Sequence, residues 1–159
     1  MRLSMVVIPY RAMLLRSARP ADRESWARMR DALWPSSPGE HAGLIDLYFA
    51  GTLQEPLEVL LAFDDDLHPL GFIELSIRPY AEGCVTDRVA FVEGWFVRPE
   101  ARGTGVGAAL IGAAETWART HGCSELGSDT EIENEASAAA HRALGFVEAG
   151  VVRCFIKSL

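Results

Sequence analysis

Hydrophobic and polar positions change period several times along the chain, and each change marks an element. "MLLRSA", from Met13, is a short apolar run that predicts a first strand. In "RPADRESWARMRDALWP" the period becomes helical, with Trp26, Met29 and Leu33 on one face. Asp22 stands at the N-cap position, and Pro35 and Pro38 stop the helix. "EHAGLIDLYFAG" predicts a second helix that turns Leu44, Leu47 and Tyr48 inward and ends at Gly51.

Three strands are predicted next. "LEVLLAF" is a short apolar run stopped by the turn signal "DDDLHP". "LGFIELSIRP" sets Phe72, Glu74 and Ser76 against Ile73, Leu75 and Ile77, which predicts a half-buried strand. "RVAFVEGWFV" is almost wholly apolar and predicts a central strand buried on both faces. A glycine-rich turn leads from it into a helix over 105–121, with Val106, Leu110, Ala113 and Trp117 in register and Gly122 closing it. "SELGSD" predicts a short strand, "ENEASAAAHRAL" a helix ended by Gly145, and "FVEAGVVRCFIK" a final strand with a bulge at Gly150. The order β-α-α-β-β-β-α-β-α-β describes an α/β fold: a mixed sheet with helices on both faces, its parallel crossover at 88–121.

The chain has 159 residues, enough to bury a real core, and no repeat or low-complexity linker divides it. One domain over 1–159 is expected, with 1–12 standing before the first element as an N-terminal extension. The apolar patch Met5–Ile8 is broken by Pro9 and Arg11, too short for a signal peptide or a membrane span, so a soluble cytoplasmic protein is expected. A formal net charge of −7 argues against a nucleic-acid partner held through its phosphates and suits a cationic or neutral ligand. Cys84, Cys123 and Cys154 form no C-x-x-C, and the four histidines lack ligand spacing, so neither a disulfide framework nor a metal site is indicated.

Within "RPEARGTGVGAALIGAAE", Gly103, Gly105 and Gly107 occupy every second position where a helix should begin. Glycine is costly there, which suggests that something approaches the backbone closely. An anion suits the free N–H groups and dipole of a helix N-terminus; a plain strand-to-helix turn is the alternative. A P-loop would need Lys and Ser/Thr after the last glycine, where Ala108 and Ala109 stand, and G-x-G-x-G is not the dinucleotide spacing G-x-G-x-x-G.

Arg102-Gly103-Thr104-Gly105-Val106-Gly107 instead resembles the R-x-x-G-x-G loop of the GNAT acetyltransferase superfamily. The blocks "LWP" at 33–35, "GFIELSIRPYAEGC" at 71–84, "VEGWFVRPEARGTGVG" at 92–107, "ELGSDTEIEN" at 125–134 and "HRALGF" at 141–146 further resemble the aminoglycoside 6'-N-acetyltransferase family. The resemblance implies the GNAT-like acyl-CoA N-acyltransferase fold and transfer of an acetyl group from acetyl-CoA to an aminoglycoside 6'-amine. It also implies direct attack in a ternary complex, antibiotic resistance and a homodimer. The polycationic substrate agrees with the acidic balance of the chain.

By that resemblance, loop residues 102–107, together with Ala108, hold the pyrophosphate. The backbone of Trp95, Phe96 and Val97 pairs with the acetyl and pantetheine arms, and Asn134 contacts the cofactor. Asn134 also reads as an N-cap. Trp34 and Tyr80 would line the substrate, their flat faces tolerating cations, though each also reads as ordinary packing or a turn residue. Glu93, a carboxylate in an apolar strand, is either an acceptor for the ammonium proton or a core glutamate paired with an arginine; the resemblance puts this position in contact with substrate and so favours the functional role. Asp129, at a strand end, matches the family's substrate aspartate and otherwise belongs to a solvated acidic loop. The position of the superfamily's acid tyrosine holds His141, so histidine or solvent must protonate the thiolate. "IRPYAEG" is one residue shorter than the commoner family version, and Gly150 stands where some relatives carry an acidic contact; both bear on antibiotic range. Two other readings stay open: acetylation of another small amine, such as a polyamine or amino sugar, and an acyl-CoA- or antibiotic-binding protein without turnover.

Overall fold

The computed structural model describes residues 12–37 and 39–159; the readings placed on residues 1–11 and on Pro38 lie outside them. Strand β1 (Leu14–Ser17) leads through a 3-10 turn at Pro20–Asp22 into helix α1 (Arg23–Leu33), and helix α2 (His41–Phe49) follows. Strands β2 (Glu58–Phe63), β3 (Pro69–Arg78) and β4 (Val89–Val97) are antiparallel neighbours. Helix α3 (Val106–Thr120) returns the chain to β5 (Leu126–Ser128), which pairs parallel with β4, and helix α4 (Glu135–Ala143) comes last. The sheet order is β1-β2-β3-β4-β5, and the crossover falls where the sequence places it.

Apolar layers form on both faces of the sheet. Trp26, Met29 and Ile45 of α1 and α2 pack on Val59, Leu61, Phe72 and Phe96, while Val106, Leu110, Ile111 and Ala114 of α3 pack on Ala62, Ile73, Leu75 and Val92. The mixed sheet with helices on both faces is therefore observed. Covered on both sides, β3 is buried from Gly71 to Ser76, not half-buried as its alternation suggests. Its polar positions lie inside the molecule because α1 covers them.

Two expectations are corrected. The inward stripe of α2 is His41, Ile45 and Phe49, one helical step from Leu44 and Leu47, which are exposed. Ile45 and the edge-on contact of Trp26 with Tyr48, centroids 5.2 Å apart, set that rotation. The final strand does not form: residues 146–159 take no regular structure, and Phe155 and Ile156 are 92% and 97% exposed. Strand-forming side chains need a sheet edge to pair with, and β5, the edge strand nearest in sequence, is three residues long. Among the described residues no helix is long and apolar enough to cross a membrane.

Candidate active site

The site begins with a register break. Glu74 of β3 pairs with Gly94 and the next residue, Leu75, with Val92, so Glu93 has no partner in the ladder. Such a bulge turns two consecutive side chains to one face. Glu93 reaches Ser76 and Arg78 on the α1 side of the sheet, and Gly94 lies under Trp34 on that same side. A Cβ on Gly94 would sit 2.5 Å from Trp34 Cη2, so only glycine leaves room for the indole there. Beyond the bulge the parity is reversed, with Trp95 and Val97 against the α3 layer and Phe96 in the α1 layer.

Two carboxylates face this side. Glu93 accepts hydrogen bonds from the Ser76 hydroxyl and from Arg78 Nε and Nη2 at 2.9 and 2.6 Å. The core pairing with an arginine is therefore what the geometry shows for it. Burial works against the Arg78 cation, but hydrogen bonds to Glu93, with the charges of Glu93, Glu55 and Asp129, leave its pKa raised. Glu74, 2% exposed, accepts from Trp26 Nε1 at 2.9 Å and Arg30 Nη1 at 2.7 Å. Burial pushes its carboxyl up, against the pull of Arg30 and the indole N–H. Arg30 in turn lies 4.8 Å over the Trp34 ring. Arg30, Trp34, Leu44, Glu55, Glu74 and Glu93 line an open cleft of about 250 Å³. Three carboxylates against one guanidinium give it an acidic lining.

On the other side of β4, pairing with β5 ends at Val92 and Ser128, while β4 runs on to Val97. From Glu93 onward that edge has no strand partner among the described residues. The glycine loop lies past its end. Gly103 and Gly105 hold φ of 72° and 93°, so a left-handed backbone accounts for both, and Gly107 is glycine because Trp95 Cζ2 lies 3.0 Å from where its Cβ would be. Gly105 is the N-cap of α3, and no side chain caps the helix. Thr104 donates to the Ala101 carbonyl at 2.6 Å, Arg102 Nε to the Val97 carbonyl at 3.1 Å, and the Val106 side chain is in the core. The first turn of α3 thus has backbone N–H groups that no side chain caps, with Arg102 and Ala108 exposed beside it. The buried Trp95 Nε1 and Arg98 Nε also lack acceptors. An acyl-CoA, with amide carbonyls and phosphates to offer, fits a bare strand edge ending in an uncapped helix.

His141 stands across this edge. Its Nδ1 lies 2.8 Å from the Ser137 carbonyl, which can only accept, so the neutral ring carries its proton on Nδ1 and Nε2 accepts from Ser128 Oγ at 2.8 Å. The ring meets Trp95 edge-on at 5.2 Å. Asn134 caps α4, its Oδ1 accepting from Ser137 N at 3.0 Å. Asp129 is exposed, one residue past the last β4–β5 pair. Tyr80 lies apart from the cleft lining: it is 64% exposed and donates to Glu82 at 2.7 Å. The sequence reading missed Glu74, Arg30, Arg78 and Glu55. The signal was present in β3, where Glu74, Ser76 and Arg78 put polar groups at alternate positions of a strand flanked by apolar ones.

A strand with a bulged carboxylate, a bare edge and an uncapped glycine-loop helix together define an N-acetyltransferase of the acyl-CoA type. The chain belongs to the acetyltransferase (GNAT) family, whose model matches residues 26–146. Its relatives narrow the class. It is 50% identical over 147 residues to the aminoglycoside N(6')-acetyltransferase type 1 of Klebsiella aerogenes, covering 92% of this chain and 97% of that protein. It is 39% identical to the Stenotrophomonas maltophilia protein of the same name, over 84% of this chain and 86% of that one. Among solved structures, AAC(6')-Iy in complex with the bisubstrate analogue CoA-S-monomethyl-acetylneamine is similar with a TM-score of 0.83 and 36% identity, over 93% and 99% of the two chains. AAC(6')-Ih from Acinetobacter baumannii gives 0.84 and 34%, over 93% and 99%.

Proposed function

We propose that this chain transfers the acetyl group of acetyl-CoA to the 6'-amine of an aminoglycoside, by direct attack in a ternary complex. One observation carries the reading: the acidic cleft and the bare β4 edge meet at the bulged Glu93. The backbone N–H groups of 103–108, with Arg102, hold the pyrophosphate, and Trp95, Phe96 and Val97 offer their backbone edge to the pantetheine arm. Asn134 contacts the same arm from the start of α4. Trp34 covers a sugar face, with Tyr80 at the rim. Glu93, engaged by Arg78, anchors an ammonium, whereas Asp129, with no hydrogen bond or ion pair among the described residues, takes the amine's proton. The amine nitrogen then bonds to the thioester carbonyl carbon, its second proton passes to water, the C–S bond breaks to leave the amide, and the thiolate takes a proton from His141 in its protonated form or from water. Loss of that proton leaves the Nδ1–H ring that the Ser137 carbonyl already holds.

The acidic charge of −7 supports a polycationic ligand and speaks against nucleic acid. We place the protein in the cytoplasm, where acetyl-CoA is available and the reaction would confer resistance. The exposed apolar positions Val151, Val152, Phe155 and Ile156 support a homodimer in which a second chain covers them. CoA release with kanamycin, with spermidine and with no amine tests the reaction. Release with kanamycin alone is expected. Release with spermidine alone would redirect the reading to another amine, and binding without release would make the protein a non-catalytic binder.

A further inference from the structure

The carboxylate placed to receive a ligand's ammonium already holds a cation of the protein's own. Arg78 engages both oxygens of Glu93, at 2.9 and 2.6 Å, and its guanidinium lies 3.6 Å over the Phe91 ring. Two further carboxylates act on the same guanidinium through their charge. Glu55 lines the cleft with Glu93, and Asp129 follows the Val92–Ser128 pair at the end of β5. Each favours the Arg78 charge, and neither has a hydrogen bond or ion pair among the described residues. With Arg30 held by Glu74, Arg78 is thus the internal cation left to Glu93, Glu55 and Asp129, and it satisfies the first alone.

We infer that Arg78 is a specificity-determining counter-cation: it occupies the ammonium position at Glu93 and must be contested by any amine that binds. The proposal rests on Glu93 facing the substrate amine. An amine with one positive charge exchanges one cation for another at Glu93 and gains little. A ligand with several ammonium groups can also engage Glu55 and Asp129, which Arg78 leaves unpaired. The cleft thereby discriminates by the number of charges a ligand carries, separately from the shape of its sugar rings. Arg78 is a positioning residue in this scheme, since it acts through Glu93 and not on the reacting atoms.

The test is calorimetric binding of kanamycin and of the singly charged 6-amino-6-deoxyglucose to wild type, Arg78→Met, Arg78→Gln, Arg78→Lys and Glu93→Gln. Methionine keeps the packing on Phe91 without charge, and glutamine keeps an N–H for Glu93, so the glutamine variant decides if the methionine variant is unfolded. Removing the charge should tighten amino-sugar binding about tenfold, the size of a partly desolvated charge contact, and kanamycin binding much less. Lysine should restore part of the discrimination. An unchanged ratio of the two affinities, or weaker binding of both ligands in a folded variant, would overturn the proposal and leave Arg78 as a brace for Glu93. If Glu93→Gln weakens kanamycin while the ratio stays fixed in the Arg78 variants, only the counter-cation proposal fails. If Glu93→Gln binds kanamycin like wild type, the assignment of Glu93 fails and the counter-cation role with it.

Discussion

Gly94 shows how one missing side chain shapes the site. The bulge at Glu93 turns both residues toward α1, and the indole of Trp34 fills the space a Cβ would need, 2.5 Å away. Gly94→Ala must push Trp34 off the floor of the cleft. Overpacking of this kind costs about 1–3 kcal/mol, so thermal or denaturant unfolding should show that loss. With Trp34 covering a sugar face as proposed, the KM for the aminoglycoside should rise while acetyl-CoA affinity holds. Residue identity was legible in the sequence wherever chemistry is local: Glu93 as a carboxylate in an apolar strand, Asn134 as a cap. Its partners were not. Arg78 and Ser76 reach Glu93 across a strand pair whose register no single-strand pattern contains, and Glu74 passes for an outward polar position until α1 is known to cover it.

At the scale of elements, α3 and its loop were the most legible, since a 3.6-residue period over four turns and three alternate glycines leave little freedom. The glycines, however, answer to the protein's own backbone and to Trp95 before any ligand. Gly105→Val forces a β-branched side chain into φ of 93° at the helix entry. Calorimetry should show acetyl-CoA binding severely weakened and aminoglycoside binding little changed; unchanged CoA affinity in a folded variant would remove the loop from the cofactor site. Asp22 stands at the N-cap of α1, where the sequence places it, without capping the helix. Its carboxylate instead takes Arg16 Nη1 and Nη2 at 2.6 and 2.9 Å and the Arg19 N–H at 2.7 Å, tying β1 to α1. The Arg16 hydrogen bonds, with that of Arg19, hold the Asp22 carboxyl below the usual carboxylate range. A lowered folded pKa means the stabilisation is complete at neutral pH and is lost as pH falls through the folded value. Asp22→Asn should therefore cost about 2 kcal/mol at neutral pH and progressively less in acid, where the two unfolding curves converge.

The whole molecule departs from its sequence pattern most at the end of the chain. "FVEAGVVRCFIK" has the composition of a strand, yet residues 146–159 take no regular structure and their apolar side chains stand in solvent. A hydrophobic pattern records that a face is to be covered but not by what. With a second chain as the cover, sedimentation should give a dimer, and Phe155→Glu with Ile156→Glu should shift it to monomer without unfolding the sheet. The central claim is that amine and thioester meet at the bulge of β4, between the acidic cleft and the end of β5. The measurement that tests it most directly is kcat/KM for an aminoglycoside with Asp129→Asn, which keeps the shape of the side chain and removes its charge and basicity. Loss of a proton acceptor predicts a fall of about 10²–10⁴-fold with acetyl-CoA affinity near wild type. A folded Asp129→Asn protein that retains most of its activity would contradict the account.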